Sequence, residues 1–504
     1  MDSSASSRSH SFHESFLMLS LALIILTISL IAQLMMRIRI WCSCEICQTF
    51  IQSRWTVRFT NLCDWYTHLL KESPTKTVHI HILNNIITAN PDNVEYMLKT
   101  KFDHFPKGKP FSAILGDFLG RGIFNVDGDL WRFQRKMASL ELAHVSLRAY
   151  SFEVVNQEID RRLLPLMKSL AKGREVVDLQ DVFRRFSFDC ICRFSFGLDP
   201  MCLELSLPLS EFAVAFDLAS KLSAERAMTA SPLIWKTKRL LNIGSERKLR
   251  QAIKIINELA QEVIRKRRKF GFSDQKDLLS RFMTSISDET YLRDIIVNFL
   301  LAGRDTVASA LTSFFWVVAH HPEVEAAILE EANKVIGINS NLTNYNCYEQ
   351  MRELHYLHAA IHESMRMYPP VQFDSKFCSE NDVLPDGSLV KKGTRVTYHP
   401  YAMGRIEEIW GSDCSEFKPE RWLRDGVFCQ KNPFEYPVFQ AGLRVCLGKE
   451  MALLEIKSVA ISLLREYRVE LVRYSPVPLF SPGLTATYRD GLRVLVSHRS
   501  MNYD

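Results

Sequence analysis

Phe439-Gln440-Ala441-Gly442-Leu443-Arg444-Val445-Cys446-Leu447-Gly448 decides the reading of this chain. It fits F-x-x-G-x-R-x-C-x-G at every fixed position, and a chance match in a chain of this length is on the order of 10⁻⁴ at average residue usage. Cys446 stands where a helical pattern begins, so a helix N-terminus and backbone N–H groups can stabilise a thiolate, which is a soft metal ligand. Gly442 and Gly448 let the backbone turn sharply and approach a flat group. Arg444 offers a rigid, permanently charged fork for a carboxylate, and Phe439 is placed to shield the sulfur from water. A phosphate-binding loop is excluded: five residues separate Gly442 from Gly448, and Glu450 stands where Ser or Thr is required.

Upstream, Ile295 to Val318 is an apolar run. Arg304 and Asp305 in its middle would be costly in lipid, so it reads as a core helix from an Asp288 cap to about His320, ending before Pro322. Ala302-Gly303-Arg304-Asp305-Thr306 places an acid and a hydroxyl inside that helix. A buried acid costs several kcal/mol unless paired, which favours a chemical role over chance. A second helix, about Met351 to Met367, stops at Pro369-Pro370. Glu363 and Arg366 lie three apart on one of its faces. The same spacing at Glu158/Arg161, Glu262/Arg265, Glu349/Arg352 and Glu470/Arg473 reads as surface pairs or chance. Val78 to Ile82 alternates as a strand, with Asn84-Asn85 as a turn. The rest from about Asn93 to Glu331 is helical by period, giving a mainly α fold with small β-sheets.

Phe16 to Met36 is almost wholly apolar and reaches roughly 30 Å as a helix, a bilayer's hydrocarbon thickness. No small-x-small cleavage site ends it, which disfavours a signal peptide. Arg37, Arg39, Arg54 and Arg58 follow it and Arg8 alone precedes it, so the positive-inside rule puts the main body in the cytosol. The expected order is a luminal tail (1–15), a transmembrane anchor (16–36), a poorly patterned connector (37–75) and a catalytic domain (76–504). Cytosolic orientation would leave the glycosylation motif Asn341-Leu342-Thr343 unused. The net charge of +6 is mild for 504 residues and the basic residues are scattered, which argues against nucleic acid. The twelve cysteines show no disulfide framework. Cys42, Cys44 and Cys47 form a dense group without a second pair nearby, so buried or membrane-proximal thiols are expected there rather than zinc.

The loop around Cys446 resembles that of the cytochromes P-450, and the resemblance covers nearly all of the chain after the connector. It implies the fold of that family, with haem b bound through the sulfur of Cys446, whose electron push favours O–O cleavage. Arg444 then meets a haem propionate, as do Trp131 and Arg135 in Trp131-Arg132-Phe133-Gln134-Arg135. Lys376, ten residues after Arg366, matches a further propionate position. Ala302 to Thr306 resembles the family's oxygen-activation segment: Gly303 leaves room for oxygen, Thr306 hydrogen-bonds it once reduced, and Asp305 feeds protons. Glu363, Arg366 and Arg421 of Pro419-Glu420-Arg421-Trp422 are implied to form a buried structural ion network. Anchored members usually carry a proline-rich hinge, whereas residues 37–60 contain no proline.

Ala89-Asn90-Pro91, Phe105-Pro106-Lys107-Gly108, Gly122 to Gly128, Asn242 to Glu246 and Phe434-Glu435-Tyr436-Pro437 are similar to segments of plant fatty-acid omega-hydroxylases, and they recur in relatives that oxidise jasmonoyl–amino-acid conjugates. The implied reaction is monooxygenation using O2, on an endoplasmic reticulum membrane. No Gly-x-Gly-x-x-Gly nucleotide fold is found, so electrons from NADPH require a separate cytochrome reductase. Attack at a terminal methyl needs a narrow apolar enclosure, for which Phe111, Ile114, Phe118, Phe212, Phe216, Phe299, Val371 and Phe373 are candidates. Haem-thiolate isomerase or dehydratase chemistry and a non-catalytic haem sensor are the competing readings, and Asp305-Thr306 disfavours both.

Overall fold

The run after Asp288 forms the helix Glu289–Val318 in the computed structural model of the chain, which describes residues 18, 20–30, 42–204, 211–229, 232–271, 276–337, 346–473, 477–481 and 483–499. The Asp288 carboxylate accepts from the backbone N–H groups of Thr290 and Tyr291 at 2.8 and 3.3 Å, satisfying two of the donors a helix start leaves open. Residues Val307 to Val318 are buried on every side, so this helix runs through the protein core. Helix Leu179–Phe196 packs against it closely. A Cβ at Gly303 would stand 2.4 Å from Ile191 Cδ1. Gly303 therefore also serves helix–helix contact, with Ile191.

The architecture is mainly helical with small sheets, as expected. Strands Thr77–Ile80 and Asn85–Thr88 pair antiparallel, Val78 opposite Ile87. Their turn runs through His81–Leu83 and a left-handed Asn84 (φ 46°), one residue earlier than the Asn84-Asn85 turn anticipated. Arg395–Tyr398 joins in parallel and Asp374–Phe377 closes the sheet antiparallel. The expected helix Met351–Met367 is broken at Leu354 into Asn346–Glu353 and His355–Met367.

The stretch 37–75 is not a bare connector. Helices Glu45–Ile51 and Leu62–Glu72 occupy much of it, and Cys47, Trp65, Tyr66 and Leu70 share a buried cluster with Ile80, Val396 and Tyr398. Leu62, Trp65, Tyr66, Leu69 and Leu70 recur every three to four residues, the period of one helix face, but the run is too short to stand out from its polar surroundings. An apolar, exposed helix, Ser20–Leu30, lies within the expected anchor and is shorter than a bilayer crossing. Apart from Met18, the remainder of 16–36 lies outside the described residues, as do residues 1–15, Arg37, Arg39 and Asn341-Leu342-Thr343.

Glu363 and Arg366 are wholly buried and bidentate, at 2.8 and 2.8 Å. Glu363 also accepts from Arg421 Nε (3.3 Å), Trp422 Nε1 (2.8 Å) and Lys418 N (3.0 Å). Arg366 donates to the carbonyls of Cys414 (2.7 Å), Glu416 (2.8 Å) and Gly404. The implied ion network is present. Glu349–Arg352 is exposed, as anticipated. Glu158 corrects the surface reading of its pair: it is buried and binds Arg162 and Arg193 at 3.0 and 3.1 Å, not Arg161.

Glu363→Ala strands two guanidiniums and an indole N–H, so it should destabilise the fold by about 3–5 kcal/mol. Glu349→Ala, with the same sequence spacing in solvent, should leave the thermal midpoint unchanged at matched scan rate. Glu455 offers a pH test. Burial pushes its carboxyl up to about 8, and its Oε1 has no hydrogen-bond partner. The folded chain holds a proton that the unfolded chain releases above 4.5, so this group's contribution falls as pH rises from 4.5 to about 8 and stays low beyond. Glu455→Gln should therefore raise the midpoint at pH about 8 more than at pH about 5.

Candidate active site

Three backbone features shape the Cys446 loop. Gln440 and Gly442 both take positive φ, at 62°. A Cβ at Gly442 would stand 2.0 Å from the Leu98 carbonyl oxygen, which no neighbour can relieve cheaply because that oxygen is backbone. The Cys446 N–H donates to the Phe439 carbonyl at 2.8 Å and closes the loop. Gly442 is thus required by chain packing and by its own dihedral, whatever group approaches the loop. Gly448 caps the helix Lys449–Glu466 at an ordinary φ of −89°, and a Cβ there would lie 4.0 Å from Cys446 Sγ.

Cys446 keeps open surface although protein packs densely around the thiol, so it stands at the wall of a recess. Burial pushes the thiol up; the Gly448 N–H and the charges of Arg135 and Lys449 pull against it. Iron adds its own positive charge when it binds and deprotonates a coordinating thiol outright. Phe439 lies under the Lys449 ammonium, 5.6 Å from the ring centre, and 6.0 Å from His362.

The charged groups named from sequence converge here. Arg444 is partly buried and donates to Asp127 Oδ1 at 2.6 Å and to the Val126 carbonyl at 3.1 Å. Its guanidinium stacks over Trp131, 4.5 Å from the ring centre. Trp131 and Arg135 share one face of the helix Gly128–Ala143 through their four-residue spacing. Arg135 donates to the carbonyl of Val445, next to the cysteine, so in this structure its partner is the loop backbone. Lys376 is wholly buried, 3.0 Å from Asp374, which excludes a solvated lysine.

Sequence reasoning missed the rest of this group: Lys107, 2.6 Å from Asp374; Tyr398, whose hydroxyl donates to Asp374 at 3.0 Å; and Asp127, which also accepts from the N–H groups of Lys107 and Gly108. These residues are scattered over about 290 positions, and only the Phe-Pro-Lys-Gly and Gly122–Gly128 segments carried a signal. Burial opposes ionisation of Asp374, but Lys107 and Lys376 overcome it and hold its carboxyl well below the usual range. Burial drives the Lys376 ammonium well below its usual value, and Lys107 and Arg444 add to that. Three basic groups thus face two carboxylates. Arg444 Nε is buried without a hydrogen-bond partner. An arriving carboxylate would supply the missing charge and acceptor. A soft sulfur beside a cationic, acceptor-poor pocket is the donor set that haem and its propionates require.

Thr306 donates to the Ala302 carbonyl of its own helix at 2.6 Å. Asp305 lies 3.8 Å from Arg304, and burial pushes its carboxyl up. Arg304, which sequence left without a role, is buried and paired to Asp217 at 2.6 Å. It borders a cavity of about 20 Å³ with Arg184 and Asp217, room for one water. Among the candidate lining residues, Phe118, Phe212 and Phe216 are buried and packed on one another, with ring centres 5.0 and 6.0 Å apart. Phe111, Ile114 and Phe299 border the same cluster and keep partial exposure.

Residues 57–490 match the family model "Cytochrome P450". The chain is 58% identical to Cytochrome P450 94C1 of Arabidopsis thaliana over 466 residues, 91% of this chain and 94% of that protein. It is 45% identical to Cytochrome P450 94B1 of the same plant, over 87% of this chain and 88% of the relative. Identity to Cytochrome P450 94A2 of Vicia sativa is 42%, covering 88% of each. The chain belongs to the cytochrome P450 family, in the plant 94 group, and is a haem monooxygenase fed from NADPH through a reductase.

Proposed function

We propose that this enzyme hydroxylates the terminal carbon of a fatty acid, with Cys446 as the sulfur ligand to haem iron. Bound haem supplies dioxygen activation. Arg444 and Lys376 hold the propionate side, with Arg444 Nε as the open donor. Trp131 orients Arg444 by stacking, and Arg135 secures the Val445 carbonyl that precedes the ligand. Phe439 and Gly442 fix the loop that carries the sulfur.

Thr306 and Asp305 handle the proton. The Thr306 hydroxyl is parked on the Ala302 carbonyl, and turning it to donate elsewhere breaks a bond worth about 1 kcal/mol. That is a small barrier for a donor needed only in one step. Asp305 can keep a proton because burial opposes its ionisation, while Arg304 limits that rise. The water-sized cavity beside Arg304 gives a route for replenishment.

The observation that carries the substrate reading is apolar. Phe299 lies two turns before Thr306, on the same helix face. It shares its cluster with partly exposed Phe111 and Ile114 of the helix Gly108–Leu119. Partly exposed apolar side chains on the helix that carries Thr306 and on its neighbour suit a methyl end, and enclosure by them would disfavour attack at the weaker internal C–H bonds. The body sits in the cytosol on the endoplasmic reticulum membrane, anchored through the apolar segment around Ser20–Leu30.

The full chain, expressed with a plant reductase, is to be incubated with NADPH and separate panels of fatty acids and jasmonoyl–amino-acid conjugates. Terminally hydroxylated fatty acids are expected. Oxidation of the conjugates alone would overturn the fatty-acid assignment, and turnover of hydroperoxides without NADPH would point to isomerase chemistry. Cys446→Ser should abolish the thiolate-type carbon-monoxide difference band. Thr306→Ala should retain substrate-induced spectral shifts yet lower product formed per NADPH consumed by about 10²-fold. An unchanged product yield would remove Thr306 from proton handling.

A further inference from the structure

Cys42, Cys44 and Cys47 gain a fourth neighbour in the folded chain. His81, thirty-odd residues downstream in the turn of the first hairpin, brings its ring to them. The ligand atoms of these four residues all lie within 4.8 Å of one another. Cys42 Sγ and Cys44 Sγ are 3.3 Å apart, and Cys44 Sγ is 3.7 Å from His81 Nδ1. A tetrahedron with metal–sulfur bonds of about 2.3 Å has edges of about 3.8 Å, so small side-chain adjustments would close the set around one ion. Among the described residues it is the one such group of three or more His, Cys, Asp or Glu.

We propose that Cys42, Cys44, Cys47 and His81 form a structural zinc site that staples the N-terminal segment to the first β-hairpin. Three thiolates and one imidazole are a soft, closed donor set, which selects zinc over magnesium or calcium and leaves no position for a substrate. Cys47 is wholly buried, and the Ile82 N–H is directed at its sulfur, the kind of outer contact that orients a thiolate. Gln48 Nε2 donates to the Cys42 carbonyl at 3.0 Å, folding the cysteine segment back on the helix Glu45–Ile51. On binding, each thiol loses its proton to solvent and forms one bond to zinc, and the neutral His81 adds the fourth. The spacing Cys-x-Cys-x-x-Cys alone does not reveal this, because the last ligand comes from a different element. The site lies in the stretch that carries no proline, so the metal would supply the stiffness between the apolar N-terminal segment and the body.

The full-length holoenzyme, purified in reductant without chelator, is to be assayed for zinc and haem by mass spectrometry of the elements. About one zinc per chain is expected, falling below about a tenth in Cys44→Ser and in His81→Ala. His81→Cys should restore it, because sulfur completes the same tetrahedron. The thiolate-type carbon-monoxide spectrum should persist in all of them, since the Cys446 loop is separate. On the wild-type chain, a chelator should expose Cys42, Cys44 and Cys47 to alkylation, and added zinc should protect them. A zinc-free chain after growth in zinc-supplemented medium would overturn the proposal. So would zinc content indifferent to these substitutions, or a Cys42–Cys44 disulfide found by peptide mapping.

Discussion

A carboxylate with no solvent contact holds the scaffold behind the sulfur loop. Glu363 is met by Arg366, Arg421, the Trp422 indole and the Lys418 N–H. No single one of these would repay the removal of a carboxylate from water; together they fill its lone pairs. The consequence is topological. Arg366 also binds carbonyls of Gly404, Cys414 and Glu416, so one helix is tied to the long irregular segment that delivers the chain to Phe439. Irregular backbone has no ladder of its own, and a buried ion cluster is what gives this one a fixed course. The cost of displacing a charge makes the arrangement all or nothing, which is what a loop presenting a metal ligand needs.

On the other side of that loop the balance is left open. Around Asp374 and Asp127 three basic groups crowd two acids, and burial, with Lys107 and Arg444 adding to it, depresses the Lys376 ammonium. The behind-the-loop network is self-satisfied and structural; this one leaves Arg444 Nε without an acceptor. The contrast is between a closed brace and a charge-rich cluster with an unused donor. It also explains why Arg444 is oriented in advance: Asp127, the Val126 carbonyl and the Trp131 face hold two sides of the guanidinium while Nε remains for a ligand.

What could be read from sequence follows from how local each signal is. The Phe439–Gly448 loop, the Asp288 cap and the Glu363–Arg366 spacing are local patterns, and each took its expected place. The packing demand on two glycines was not legible because the neighbour that forbids a side chain lies elsewhere in the chain: Ile191 for Gly303 and the Leu98 carbonyl for Gly442. Glu158 was misassigned for a related reason. Its partners Arg162 and Arg193 sit at i+4 and on another helix, whereas the motif pointed to i+3. Lys107 and Asp127 lay in segments noted only for resemblance and Tyr398 in none, since a charge cluster assembled from separate chain segments has no period.

The stretch 37–75 shows the same limit from the opposite direction. Short helices separated by polar residues look like a linker, yet Trp65, Tyr66 and Leu70 bury themselves beside Ile80 and Val396. Burial of that much aromatic surface contributes several kcal/mol, at roughly 1.5–3 kcal/mol per large side chain, enough to dock a short helix that could not persist alone. The helix Leu62–Glu72 is therefore attached to the body by a packed face. The course of residues 42–51 then depends on how rigidly they follow that face. Cys47 is the one wholly buried anchor in that helix, and its contact with the hairpin turn is what carries any stiffness from the sheet into the N-terminus.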